Sequence, residues 1–346
     1  MIRILCLHIA ENQASYRYRV EQFLPYWKAY GIDMHPLRIT SKSYPQKLSI
    51  ALRSGDYDYV WLQRKPLARL FTSIIARNTR LIYDYDDAFY AIESYLKGKP
   101  KPTQPGSTQI IRRLNAVLKR SSIIFAGSDA LANYARQVNP DNTFIIPTAY
   151  GKLAQPPKLV AKQDGPVTIG WIGNTGNLYF LSMIDRAASA IQQRFPGTRF
   201  SVMSGKAPEG LKTKWEFVKW SKEGESAWLD SVDIGIMPLE DDEWSRGKCA
   251  FKLLQYMAHG KPVVASRVGA NIDAVIHGNS GFLAASEKEW EAAFETLVSN
   301  PEERLRMGEE SLKHFLSTYE RERVQEKIAT IVHEHFRKTV CNRATP

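Results

Sequence analysis

The chain has 346 residues, 44% of them hydrophobic, enough to bury a sizeable core, and its length favours two domains over one. Its net charge is +11, but residues 1–158 hold 23 Lys+Arg against 11 Asp+Glu while the remainder holds 24 against 25, so the whole excess lies in the first half. No apolar run approaches the roughly eighteen residues of a membrane span, and Cys6, Cys249 and Cys341 form neither a disulfide framework nor a zinc spacing, so the chain reads as soluble, unexported and kept in a reduced, cytosolic compartment. The basic half points to an anionic partner such as a membrane surface, nucleic acid or a phosphorylated acceptor, or else to a merely soluble surface.

Short β-rich runs alternate with helix-like segments from the start: "IRILCLHI", "IDMHPLRI", "YDYVWLQR", "RLIYDYD", "SSIIFAGS" and "NTFIIPT". Continuous apolar strands separated by helices predict a parallel sheet covered on both faces. "GKLAQPPKLVAKQDGP" then breaks the pattern as a linker, after which "PVTIGWIG", "TRFSVMSG", "WEFVKW", "VDIGIMPL", "KPVVAS" and "SGFLAA" repeat it. From about Glu289 the chain reads as nearly all helix. The expected architecture is α/β, two doubly wound Rossmann-like domains over residues 1–155 and 156–320, facing across a cleft, with residues 321–346 as a terminal helix packing back on the first domain.

Ligands in such sheets bind beyond the carboxyl ends of the strands, so the loops there carry the candidate chemistry. After the first strand come Arg17 and Arg19, placed to grip a donor phosphate or an acidic acceptor, or simply solvated. After the fourth come Asp84, Asp86 and Asp87, three carboxylates that repel one another unless a cation, proton or sugar hydroxyl intervenes; one of them could equally cap a helix through "DAFYAIE". "KGKPKPTQPGSTQIIRRLNAVLKRSS" leads from a Lys- and Pro-rich loop into an amphipathic segment, with Ile110, Ile111, Leu114 and Leu118 apolar and Arg112, Arg113, Lys119 and Arg120 basic. It either docks on a membrane face or packs on the sheet. In the second half "GWIGNTGN" offers Gly173, Asn174, Thr175 and Gly176 as a turn whose N–H groups could cradle a phosphate. In "GKCAFKLLQYMAHGKPVVAS" the residues Lys248, Lys252, Gln255 and His259 recur at steps of four, three and four, a polar stripe on one predicted helix whose start would strengthen a diphosphate site. Such a stripe is also what a solvated helix face looks like. The histidines form no cluster, and no metal site is expected.

The segment Gln255-Tyr256-Met257-Ala258-His259-Gly260-Lys261-Pro262-Val263-Val264-Ala265 resembles the signature of family 4 glycosyltransferases of the GT-B fold, and the likeness extends from about Pro166 to Tyr319. That pattern carries a Glu, seven residues, then a second Glu; here the second is Gln255 and the first falls on Gly247. The resemblance implies a retaining, metal-independent transfer from a nucleotide-diphosphate sugar, bound as co-substrate with no cofactor, to a saccharide or lipid-linked acceptor in polysaccharide assembly. It implies no nucleic-acid partner, and a cytoplasmic protein peripheral on the inner membrane face.

The resemblance also assigns roles. Gly173, Asn174, Thr175, Lys248, Lys252 and Gln255 would bind the donor, with Trp220 where the family's loop holds the nucleobase, unless it is a core residue. Asp86 and Asp87, with Lys252, would be the catalytic polar residues, and the acidic loop of Asp241, Asp242 and Glu243 would replace the carboxylate missing at Gly247, unless it is a solvated turn. A nucleotide-sugar epimerase and a non-catalytic sugar-nucleotide or polyanion-binding protein are the alternatives; the latter is favoured by Gln255 and Gly247.

Overall fold

A computed structural model describes residues 1–92, 104–151, 153, 157, 159–161 and 165–344. Two compact units emerge: unit 1 from Met1–Ala149, Asp242–Cys249 and Arg321–Pro346, and unit 2 from Tyr150–Asp241 and Ala250–Glu320.

Unit 1 is built on strands β1 (Ile2–His8), β2 (Ile32–Arg38), β3 (Tyr59–Gln63), β4 (Arg80–Tyr85), β5 (Ile123–Ala126) and β6 (Thr143–Ile145), all parallel in the order β2-β1-β3-β4-β5-β6. The central strands are buried throughout, as their unbroken apolar runs require. Helices α1 (Ala14–Arg19), α2 (Tyr44–Leu52), α3 (Arg69–Asn78), α4 (Thr108–Arg120) and α5 (Asp129–Arg136) fill the crossovers. Ser107 and Ser128 cap α4 and α5 by accepting from Ile110 N and Leu131 N. One face of the sheet carries a core of Leu62, Phe71, Leu114, Val117 and Leu118. The other carries Trp27, Trp61 and Phe125.

Unit 2 carries β7 (Thr168–Ile172), β8 (Arg199–Ser204), β9 (Trp215–Lys219), β10 (Ile234–Met237), β11 (Val263–Ser266) and β12 (Gly281–Ala284), again all parallel, in the order β12-β11-β10-β7-β8-β9. Helices α6 (Asp185–Arg194) and α7 (Glu225–Ser231) precede the short α8 (Glu243–Arg246), which belongs to unit 1. Helices α9 (Phe251–Ala258), α10 (Asn271–Ala274), α11 (Glu287–Ser299) and α12 (Pro301–Thr318) complete unit 2. The last helix, α13 (Arg321–Ala344), returns to unit 1, where Val324, Ile328, Ala329 and Val332 are buried beside Phe23 and Trp27 and Gln325 Nε2 donates to Phe23 O at 3.2 Å. His333 and His335 bond Tyr30 O and Tyr59 Oη within the same unit.

Two open alternatives are resolved and one local expectation is corrected. The apolar stripe of α4 is buried in the sheet core at Ile110, Leu114, Val117 and Leu118, so it is not available to a membrane; the residues before it, 97–103, lie outside the described residues. Residues 87–92 form turns and no helix, so neither Asp86 nor Asp87 is a helix cap. The loop 240–247 is not continuous, because Asp242 Oδ1 accepts from Ser245 N at 2.6 Å and starts α8.

Candidate functional site

The stripe of Lys248, Lys252, Gln255 and His259 does not exist as one helix face. Helix α9 starts at Phe251, and Ala250 before it has φ +52°, a left-handed conformation that a right-handed helix cannot pass through. Lys248 thus lies outside the helix, in unit 1, with its ammonium 5.4 Å from the Trp244 ring centroid, whereas Lys252 belongs to unit 2. The two remaining stripe residues are buried and held by helix α7. Gln255 Nε2 donates to Glu225 Oε1 at 2.8 Å, and His259 Nδ1 lies 2.7 Å from Asp230 Oδ1. A buried amide or imidazole needs a partner, and α7 supplies a carboxylate to each. Burial holds His259 below the ordinary histidine pKa, with Asp230 opposing.

Lys252 occupies the first turn of α9 with its ammonium 4.7 Å from the centroid of Trp171 on β7. Gly173, just past β7, has no side chain for a packing reason: a Cβ there would stand 2.6 Å from Trp171 and 2.8 Å from Lys252 Cε. Its N–H donates to Met203 O at 3.1 Å, which takes Gly173 out of any N–H cradle; Asn174, Thr175 and Gly176 beyond it are exposed. Trp220 follows β9 at 39% exposure, so it is not a core tryptophan, and its Nε1 donates to Glu225 Oε2 at 2.7 Å. Glu225 therefore ties Trp220 to Gln255 through its two oxygens. No sequence motif marks Glu225, although it opens α7 directly after the loop that follows β9, where ligands are expected. Asp241 is exposed at the end of unit 2's first segment, while Asp242 is spent on the α8 cap and Glu243 is exposed in unit 1.

In unit 1 the carboxyl ends of β1, β3 and β4 gather a layered charge cluster. Arg19 and Asp84, 3% and 1% exposed, form an ion pair with Nη2–Oδ1 at 2.5 Å and Nε–Oδ1 at 2.9 Å, and Arg19 Nη1 also donates to Ile146 O and Thr148 Oγ1. The Arg19 guanidinium is thus consumed inside the fold, so it neither grips a ligand nor faces solvent. Arg17 is half-buried with its guanidinium 5.2 Å from the Tyr18 ring centroid.

Above this pair lies Arg64, a residue that no motif had marked. It has φ +65°, a strained conformation for a long side chain, fixed by its N–H to Asp84 O at 2.6 Å and by Tyr83 Oη donating to its carbonyl at 2.8 Å. The turn aims Arg64 at Asp87 Oδ2, with Nε at 3.1 Å, at Gln13 Oε1 at 3.0 Å, and at Asp86 Oδ1 at 3.6 Å. Among the described residues Asp86 Oδ1 is buried without a hydrogen-bond partner. Burial, then the Asp87 charge, push the Asp86 carboxyl up to about 6, against the pull of Arg64 and Arg19. Gly247 belongs to this neighbourhood: a Cβ on it would stand 2.5 Å from Ala88 Cβ, and Cys249 Sγ lies 3.4 Å from Asp86 O. The position has no room for a side chain.

The two six-stranded parallel sheets are those of GT-B glycosyltransferase structures. Anabaena HepE in complex with UDP and glucose superposes with a TM-score of 0.69 at 13% identity over 96% of this chain and 100% of that one. Sucrose-phosphate synthase from Thermosynechococcus elongatus gives 0.70 at 14% identity, over 98% and 100%. Likeness at this identity shows the fold. Residues 166–300, most of them in unit 2, match the family described as glycosyl transferases group 1. D-inositol 3-phosphate glycosyltransferase of Pseudarthrobacter chlorophenolicus is 34% identical over 85 residues, 24% of this chain and 19% of that protein. The enzyme of the same description from Corynebacterium glutamicum is 40% identical over 63 residues, 18% and 15%. The chain thus spans a fifth or less of the length of these curated relatives.

Proposed function

We propose that this protein is a glycosyltransferase that moves a sugar from a nucleoside-diphosphate-sugar donor bound by unit 2 to a saccharide or lipid-linked acceptor bound by unit 1, in glycan or polysaccharide assembly. The observation that carries the reading is the group Lys252, Trp220, Glu225 and Gln255 inside a domain that matches glycosyl transferases group 1. An ammonium in the first turn of a helix, beside the loop that follows β7, is suited to negative charge growing on a departing diphosphate. A half-exposed indole clamped by a carboxylate offers a fixed face to a nucleobase. HepE was crystallised with UDP, which makes uracil the first base to test.

In unit 1, Asp86 and Asp87 are the carboxylates that would orient the acceptor hydroxyl, and Arg64 holds both in place. The bond from the anomeric carbon to diphosphate breaks as the bond to the acceptor oxygen forms on the same face, and the acceptor proton passes to a leaving-group oxygen. In this scheme Lys252 does the charge neutralisation, no metal is required, and the rate is insensitive to EDTA.

The second reading is a non-catalytic nucleotide-sugar-binding protein, favoured by the closely packed Gly247. The test is incubation with a panel of nucleotide sugars, with and without membrane lipid extract, following free nucleoside diphosphate. Acceptor-dependent release supports the transferase, binding without release supports the second reading, and neither binding nor release defeats both.

A further inference from the structure

With its apolar stripe buried, α4 keeps a second stripe for the surface. Arg112, Asn115, Ala116 and Lys119, at i, i+3, i+4 and i+7, share one helix face, and with Arg120 and with Arg69 of α3 they line a groove of about 670 Å³. The four cations are exposed, and among the described residues none of them forms a salt bridge. Among the described residues no carboxylate lines the groove.

Helix stability does not account for this arrangement. Lys119 and Arg120 suit the carboxyl end of α4, but Arg112 lies in its middle, and Arg69 is the first residue of α3, where the helix dipole disfavours a cation. Like charges converging on one concavity repel each other unless an anion lies among them. The hydroxyl of Tyr134 donates to Asn115 Oδ1 at 2.9 Å, which leaves the amide N–H groups of Asn115 as further donors toward the groove.

We infer that this groove on unit 1 binds a ligand bearing several phosphates, its charge shared among Arg69, Arg112, Lys119 and Arg120. Guanidinium groups take phosphate oxygens in pairs, and the 112-to-119 spacing spreads the cations along the helix, which suits more than one phosphate better than a single ion. The phosphates can belong to lipid headgroups or to a soluble polyanion, and the inference is independent of the glycosyl-transfer reading.

The test uses two probes on the full chain: vesicles of phosphatidylglycerol in phosphatidylcholine, read by co-sedimentation, and soluble tripolyphosphate, read by calorimetry. Arg112→Ala/Lys119→Ala should weaken binding at least about tenfold. A control with the same charge loss elsewhere on unit 1, Lys47→Ala/Arg136→Ala, should stay within about twofold, and both variants should keep their affinity for nucleoside diphosphate. Binding only to vesicles identifies headgroups, binding only to tripolyphosphate identifies a soluble ligand, and either supports the groove. Equal loss in the control and groove variants, or no binding of either probe by the unaltered protein, overturns it.

Discussion

Exchanging the Glu225 carboxylate for an amide tests the donor assignment at the atoms that define it. Glu225 accepts from Gln255 at 2.8 Å with one oxygen and from Trp220 at 2.7 Å with the other. A Gln at 225 has a single carbonyl for these two donors. Gln255 is 3% exposed and cannot turn to water, so it takes the carbonyl, and the new amino group then meets the Trp220 N–H donor to donor. Trp220 is 39% exposed and can bond water, so the fold should lose only about 1 kcal/mol. The loss that matters is the clamp on the indole, expected to lower nucleoside diphosphate affinity about tenfold, roughly 1.4 kcal/mol. The exchange Glu225→Gln/Gln255→Glu restores both bonds: the amide carbonyl accepts from Trp220 while its amino group donates to the new carboxylate. Affinity by calorimetry and the near-ultraviolet dichroism of Trp220 should recover to within about threefold of the unaltered protein. If Glu225→Gln binds as the unaltered protein does, or the exchange is no better than the single change, the clamp plays no part in donor binding.

Lys252→Ala should weaken UDP about tenfold while leaving uridine affinity unchanged, since only the diphosphate contact is lost; equal loss for both ligands would remove Lys252 from the phosphate site. Because Asp86 is raised in the fold from 3.8 to about 6, its protonation favours the folded state, so that share of stability is present below about pH 4 and is lost as pH rises through 6. Urea midpoints should show this slope and Asp86→Asn should flatten it, while under the proposed role of the Asp86 carboxylate any transfer rate should rise through pH 6 in the unaltered protein alone. Gly247→Glu should destabilise unit 1 by about 1–3 kcal/mol through its clash with Ala88 and yield no gain in activity; a faster enzyme would mean that the position does serve the sugar. Asp84→Ala strands the Arg19 charge and should cost about 3–5 kcal/mol in unfolding experiments.

The twelve strands of the described residues were legible as short, mostly apolar runs between turn residues; burial on both faces sets that pattern in β3 and β5, while β2 and β9 are partly exposed. The start of α9 was not legible: the break is a left-handed Ala250, and alanine gives no local sign of that conformation as glycine would. The close packing at Gly247 was not legible, because its contact with Ala88, 159 positions earlier, leaves no periodic trace. Arg19 and Glu225 were misjudged or missed for the same reason, since their partners lie 65 and 30 residues away. Both Arg64 and Glu225 lie past strand ends, so a search of those loops for charged residues would have found them, though not their partners.

The return of α13 to unit 1 bears on how the protein is made. Residues 1–149 leave the ribosome before residues 150–346, yet the layer that holds Phe23 and Trp27 lacks part of its cover until Val324, Ile328, Ala329 and Val332 arrive. Unit 2, assembled from residues 150–320 around the short excursion 242–249, has no such wait. Unit 2 therefore has all its residues synthesised before unit 1 does, against the usual order in which the earlier domain is completed first. Until then the nascent first half carries exposed aromatic surface, and a chaperone that recognises such surface has its longest window there.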